Sequence, residues 1–237
     1  MTNPTQPIAT SLAGEGFALL EAVGTRAWLE QAGSLADWDA LAASWDGMAL
    51  DEFMADGGRY RRRRYGVFHT QAGAIVREPH QPHYQTTDYN SLNGGVERWF
   101  EATPDAIAGS AAFQTVLRAC HGLFGHLVPG REWHIETHQF RIEASPGMAG
   151  QPTPEGSHRD GVDFVLVLMV HRENIKSGTT TIHAPDGTRL GEFTLTQPFD
   201  AAIVDDHLVF HGVTAVEPID PARPAHRDVL VMTFRAI

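Results

Sequence analysis

Residues 162–170, Val-Asp-Phe-Val-Leu-Val-Leu-Met-Val, constrain this chain more than any other stretch: the run is apolar at every position but one and is far too short to cross a membrane. A short run rich in Val and Leu predicts a strand buried on both faces. The surrounding sequence has the same texture from residue 131 onward. Residues 133–144 alternate polar and apolar, the pattern of a half-buried strand. Residues 145–156 carry three Pro and three Gly and read as loop. Further strands are expected at 179–183, 190–195, 201–204, 208–216 and 228–234, mostly set off by Gly, Pro or Asp. Many short strands with turn signals every roughly 8 to 12 residues mean a sandwich or barrel.

The first 130 residues read differently. Phe17, Leu20, Ala22, Val23, Trp28 and Leu29, then Leu35, Trp38, Leu41, Ala42 and Trp45, recur at helical spacing, which predicts two short helices with Ser34 and Asp37 at the start of the second. A second helical stretch is expected from 95 to 127, through Val96, Trp99, Phe100, Ile107, Phe113, Val116, Leu117, Cys120, Leu123 and Phe124, closed by Pro129 and Gly130. A strand is expected near 59–68. The pattern predicts an α+β, mainly β chain of one domain, a helix-rich layer (1–130) packed on a jelly-roll core (131–237).

Composition narrows the function classes. At 42% hydrophobic and 20% charged, the 237 residues can bury a full core. A formal net charge of −11 argues against nucleic acid or an anionic membrane as partner, since both rely on Lys and Arg. The lone cysteine, Cys120, forms no intrachain disulfide and excludes zinc sites built on several thiolates. Residues 1–20 hold no Lys or Arg and no apolar run of signal-peptide length, and no segment approaches the roughly 20 apolar residues of a membrane helix. A soluble cytoplasmic protein is expected.

Among the 13 histidines, the strongest local signal is His158-Arg159-Asp160, with His211 on a later apolar strand. Side chains two apart in extended chain share a face, so His158 and Asp160 can grip one metal ion, and His211 supplies a third ligand. Two imidazoles and one carboxylate form the facial triad of non-haem iron oxygenases; zinc hydrolases use similar ligands. An isolated His-x-Asp arises by chance in many chains. Here its place at a loop-to-strand entry, the distal His211 and the basic Arg227 strengthen it. Arg227 opens the last strand and offers a planar fork matched to a carboxylate; Arg235, at the far end of that strand, is its rival. His134, Glu136 and His138 also share a strand face, but three residues at i, i+2 and i+4 span roughly 13 Å, too far for one ion. Their face is expected to be half-solvated, with Ile135, Thr137, Gln139 and Arg141 turned to the cavity. His121 and His126, five apart, share no helical face, and structural or surface roles are expected. Arg59 and Arg61 to Arg64 crowd five cations into six positions. They form an exposed or partly neutralised strand, or one of them, Arg62 or Arg64, points inward to hold an anionic substrate.

The run from Pro152 to Gly161 resembles the metal-binding segment of the 2-oxoglutarate/Fe(II) dioxygenases that hydroxylate free L-amino acids, the L-isoleucine dioxygenase type. The likeness continues through residues 172–180, Asp205-Asp206, His211-Gly212-Val213-Thr214 and residues 226–230, and covers most of the chain from about Arg61. It departs at Ser177-Gly178, where two glycines are expected. The resemblance implies a double-stranded β-helix (jelly roll, cupin-like). It also implies Fe(II) on His158, Asp160 and His211, 2-oxoglutarate on Arg227, O2 as oxidant, and release of succinate and CO2. The substrate implied is a small free L-amino acid, hydroxylated or sulfoxidised, with Arg141 the candidate for its carboxylate. Two other readings stay open: an oxygenase for another small acid or a carrier-bound amino acid, docked through the 59–64 arginines, and a jelly-roll protein that binds metal without turnover.

Overall fold

The structure is a computed structural model that describes residues 5–90 and 92–237. In chain order its elements are α1 (Thr5–Glu15), β1 (Phe17–Leu20), α2 (Ala22–Glu30), α3 (Trp38–Ala43), β2 (Arg61–Gln71), β3 (Ala74–Arg77), β4 (Glu101–Ala102), α4 (Asp105–Ala108), α5 (Ala111–Leu127), β5 (Trp133–Ala144), β6 (Phe164–Glu173), β7 (Ile175–Ser177), β8 (Thr180–His183), β9 (Arg189–Phe193), β10 (Ala201–Asp205), β11 (Phe210–Val213), β12 (Val216–Pro218) and β13 (Ala225–Ala236).

An eight-stranded sheet runs in the order β1-β10-β6-β13-β5-β2-β3, with β4 added parallel to β2; β11-β8-β9 and β12-β7 form two smaller sheets. β6, the apolar run, lies between β10 and β13 and is buried on both faces as expected. Its Leu166, Leu168 and Val170 pack against the helices, and Val165 and Val167 point the other way. The large sheet and the small sheets face each other across a cavity lined from both sides, by Val167, Val229 and Val231 on one and His211 and Val213 on the other. This is a jelly roll with helices on the outer face of its large sheet.

The helical layer is pinned through α5, whose apolar stripe includes Phe113, Val116, Leu117, Cys120, Leu123 and Phe124, all buried. Phe124 stacks on Phe164 at 4.5 Å and meets Phe234 edge-on at 4.8 Å. Asp37 precedes α3 as expected, yet its carboxylate serves α5, accepting from the amides of Ala111 and Ala112 at 2.8 Å each, where an anion meets the positive end of the helix dipole.

Several expectations change, and the strand expected at 208–216 is two, β11 and β12. Residues 17–20 are strand β1, because Ala18 and Leu20 are buried with Leu19 exposed between them, a period of two. α1 was not foreseen; it buries Ile8, Ala9 and Leu12. Residues 95–100 are not helical: Arg98 exchanges both backbone hydrogen bonds with His83, which lashes this segment across the cavity mouth, and Val96 and Trp99 are exposed. At the departure from the family pattern, Ser177 and Gly178 both take left-handed backbone, φ 62° and 75°. Serine occupies a position where glycine would be unstrained, at a cost of about 1–2 kcal/mol. Among the described residues no helix is long and apolar enough to cross a membrane.

Candidate active site

His158 is not in a regular strand; it forms a single antiparallel bridge with His211 of β11, and the two exchange both backbone hydrogen bonds at 2.9 and 3.0 Å. Asp160 follows on a turn held by Asp206, whose carboxylate accepts from the amides of Asp160 (3.0 Å), Gly161 (2.8 Å) and Val162 (3.1 Å). Gly161 takes φ 81°, which the turn requires. The two segments bring His158, Asp160 and His211 together with ligand atoms within 4.8 Å of one another. His158 Nε2 lies 3.7 Å, and His211 Nε2 3.5 Å, from the Asp160 carboxylate. Donors about 2.1 Å from one ion sit roughly 3–3.5 Å apart, so a small contraction onto a cation suffices. His158 Nδ1 lies 3.1 Å from the Gly156 carbonyl, which orients Nε2 inward when Nδ1 donates. Two imidazoles and a carboxylate this close together, one buried and two half-buried, fit Fe(II).

The electrostatics of the three are asymmetric. Burial opposes charge on His158, but Asp160 and Glu155 outweigh it and push its pKa up to about 9. Burial, with His158 alongside, pushes His211 down to about 4. Despite its own burial, Asp160 is held well below the usual carboxylate range by the two imidazoles. Asp206 goes the other way, to about 6, through burial and the charge of Asp160.

Arg227 reaches the cavity from β13, 2% exposed, with Nε and Nη1 lacking any partner. Burial and the neighbouring Arg172 push its pKa down to about 10. An uncompensated buried guanidinium is costly, so this one is matched to an anion entering the cavity. Gly178 makes the arrangement possible, since a Cβ there would lie 2.8 Å from Val216 and 3.3 and 3.6 Å from the guanidinium nitrogens of Arg172 and Arg227. The rival Arg235 is exposed at the other end of β13.

The other sequence candidates lie elsewhere. Arg141 turns to the helix side, where Nε and Nη2 bond both oxygens of Asp228 at 2.7 Å. Arg62 pairs with Glu143, and Arg64 with Glu101 and the Ser44 carbonyl. Neither lines the cavity; Arg61 and Arg63, one residue out of phase, do. The same inversion applies to β5. Ile135 is buried among the helices and Gln139 bonds Ser44, so the expected cavity face is the helix-packing face, and Glu136, His138, Phe140 and Ile142 line the cavity instead. The cause is that α3 and α5 cover the odd-numbered side of β5, a face that strand periodicity alone cannot distinguish from a cavity wall. His121 and His126 lie on α5, half-buried and exposed, away from the cavity.

Within the cavity, sequence reasoning missed one cluster. His83, Glu136 and His138 bring ligand atoms within 4.8 Å of one another in the same cavity. Tyr65 donates to Glu136 at 2.7 Å, and Arg63 Nη2 lies 2.9 Å from His138 Nδ1. Arg98, 1% exposed, completes the wall and bonds Gln85 at 3.0 Å, while Gln85 reaches the Asp160 carbonyl at 3.3 Å. The whole cavity has a volume of about 130 Å³.

A family model described as 2OG-Fe dioxygenase matches residues 42–233. The chain is 25% identical over 236 residues to 3(1)-hydroxy-L-isoleucine 4-dioxygenase of Pantoea ananatis, covering 96% of this chain and 94% of that protein. It is 22% identical over 183 residues to L-isoleucine-4-hydroxylase of Bacillus thuringiensis, 75% of each. Among solved structures, a bsmA homologue from Methylobium petroleophilum superposes with a TM-score of 0.88 at 38% identity, covering 98% of this chain and 92% of that one. With a family match across most of its length, the chain belongs to the 2OG-Fe dioxygenases, enzymes that use Fe(II), 2-oxoglutarate and O2.

Proposed function

We propose that this enzyme hydroxylates or sulfoxidises a small free L-amino acid in the cytoplasm and releases succinate and CO2. In this reading His158, Asp160 and His211 hold the iron and Arg227 receives the distal carboxylate of 2-oxoglutarate. The observation that carries it is one cavity holding two imidazoles and a carboxylate at metal-ligand spacing together with a buried, unpartnered guanidinium. The iron, once bound, supplies the oxidising chemistry that splits 2-oxoglutarate and attacks an unreactive C–H bond or a thioether. The chain's own part is positional. Arg227 orients the co-substrate, Val167, Val229 and Val231 keep that side of the cavity apolar, and Asp206 holds the turn that aims Asp160.

Two relatives named for isoleucine chemistry support the amino-acid class, and the cavity volume favours a small substrate. Docking of a carrier through the 59–64 arginines is disfavoured, because Arg61 and Arg63 are buried and Arg62 and Arg64 are ion-paired, which leaves Arg59 alone on the surface. The test is succinate formation from 2-oxoglutarate with Fe(II), ascorbate and a panel of free amino acids. Turnover with at least one is expected, and none with any refutes the amino-acid assignment. Activity that survives His158→Ala refutes the proposed ligand set.

A further inference from the structure

On that reading of the substrate class, we infer that the β2–β5 side of the cavity is a zwitterion clamp, with Arg63 and Arg98 receiving the substrate's α-carboxylate and Glu136 its α-ammonium. The substrate therefore carries both groups free. An amino acid held as ester, thioester or amide lacks one of them.

Three guanidinium groups, of Arg61, Arg63 and Arg98, meet in this wall, and only one is paired with a carboxylate: Arg61 bonds Asp51 at 2.7 Å. Arg63 lies over Phe100 at 3.8 Å and Phe140 at 4.7 Å, and its hydrogen-bond partner is an imidazole nitrogen. The partner of Arg98 is the Gln85 amide. Each is left with a buried Nε that bonds nothing. Two adjacent, desolvated guanidiniums with no carboxylate in direct contact, only Glu136 and others at longer range, are an arrangement a carboxylate stabilises strongly, through charge-assisted bonds in a low-dielectric site.

Glu136 offers the opposite charge a short distance along the same wall. Tyr65 donates to it at 2.7 Å and the His83 imidazole stands 3.1 Å away, and burial depresses the pKa of both His83 and His138. The carboxylate itself stays ionised despite burial, held low by the surrounding imidazoles. The cluster of His83, Glu136 and His138 has the closeness of a metal site, but Arg63 stands 2.9 Å from His138 and a divalent cation would meet that charge directly. An ammonium carries a single charge and donates hydrogen bonds, so it suits Glu136 without requiring either imidazole to turn. The clamp is separate from the co-substrate position: Arg63 on β2 lies two strands from β13, about 10 Å at ordinary strand spacing, and Glu136 on β5 pairs with Thr233, six residues along β13 from Arg227.

The test uses protein loaded with Fe(II) and 2-oxoglutarate with O2 excluded, titrated calorimetrically with the free protein L-amino acids, their methyl esters and their decarboxylated amines. Binding is expected for at least one free amino acid and is expected to weaken roughly 30-fold or more for its ester and its amine. Arg98→Gln and Glu136→Gln are expected to weaken the free amino acid by a similar factor, Arg98→Lys less, while 2-oxoglutarate affinity stays within about twofold and serves as the check on folding. An ester or amine that binds as well as the acid overturns the clamp, as does a variant that binds the acid normally or loses 2-oxoglutarate instead. Wild-type protein that binds 2-oxoglutarate and no free amino acid overturns the substrate class itself, a different failure.

Discussion

Arg141→Ala separates an architectural arginine from a substrate-binding one. Arg141 on β5 stands opposite Asp228 on β13 and holds it through two parallel bonds of 2.7 Å, with Asp228 only 1% exposed. The third contact, Nη1 to Asp46 at 2.9 Å, involves a carboxylate that is mostly in water and is worth at most about 1 kcal/mol. Truncation leaves Asp228 buried under the helical layer with His226 at 3.7 Å as the remaining cationic candidate. Removing one partner of a buried ion pair costs about 3–5 kcal/mol, and at about 2–4 °C per kcal/mol for a chain of this size Tm falls by roughly 6–20 °C. Thermal unfolding by circular dichroism reads this directly. KM for the amino acid and for 2-oxoglutarate, measured well below the transition, is expected to stay within about twofold, because the side chain is on the face opposite the cavity. The double variant Arg141→Met/Asp228→Leu is expected to recover most of the loss, since it removes both charges together. An unchanged Tm with a tenfold rise in KM for the amino acid would refute this account and return Arg141 to the substrate.

Arg227→Gln is expected to raise the 2-oxoglutarate concentration needed for half-maximal turnover roughly 100-fold, the loss of a bidentate, desolvated charge contact, with kcat at saturation much less affected; succinate assays at varied 2-oxoglutarate check it. Asp206→Ala frees three half-buried amides, so both Tm and iron affinity are expected to fall, the latter by roughly 10- to 100-fold in a competition with a chelator. Burial depresses the pKa of His83 and of His138. The folded chain therefore binds fewer protons at these sites than the unfolded one below about pH 6.5, and the stability they contribute is present above that pH and lost as pH falls. In chemical denaturation across pH 5 to 7.5, His138→Gln is expected to flatten the slope; an unchanged slope would place the acid sensitivity elsewhere.

The jelly roll and the meeting of His158, Asp160 and His211 were legible because their signals are local. An apolar run at 162–170 permits few structures besides a doubly buried strand, and His158-x-Asp160 with a distal His on an apolar strand is a spacing statement. The wall of the cavity was not legible, for a reason particular to β2 and β5. Both strands are buried on the two faces over most of their length, so Trp133 and Ile135 on one side and Phe140 and Ile142 on the other give no contrast. Polar residues at 134, 136 and 138 look the same facing solvent or facing a polar cavity. One tertiary fact, which side the helices cover, sets the parity and converts Arg62, Arg64 and Arg141 into Arg61, Arg63 and Glu136. Arg98 was hidden differently: its neighbours Val96, Trp99 and Phe100 imitate a helical stripe, while the segment is an extended strap anchored through His83.

The two-way backbone pairing of His158 with His211 also bears on how the chain can be lengthened. These donors lie far apart in sequence, yet each is registered by the other's amide and carbonyl, not by the path between them. The exposed turn from Ala184 to Thr188, which closes on itself between β8 and β9, lies on that path and has no place in the cavity wall. Because the entropy of closing a loop grows only slowly with its length, a few residues or a small tag inserted there should cost little and leave the distance between the imidazoles where it is. That turn is the place to attach a label or a second module to a working enzyme.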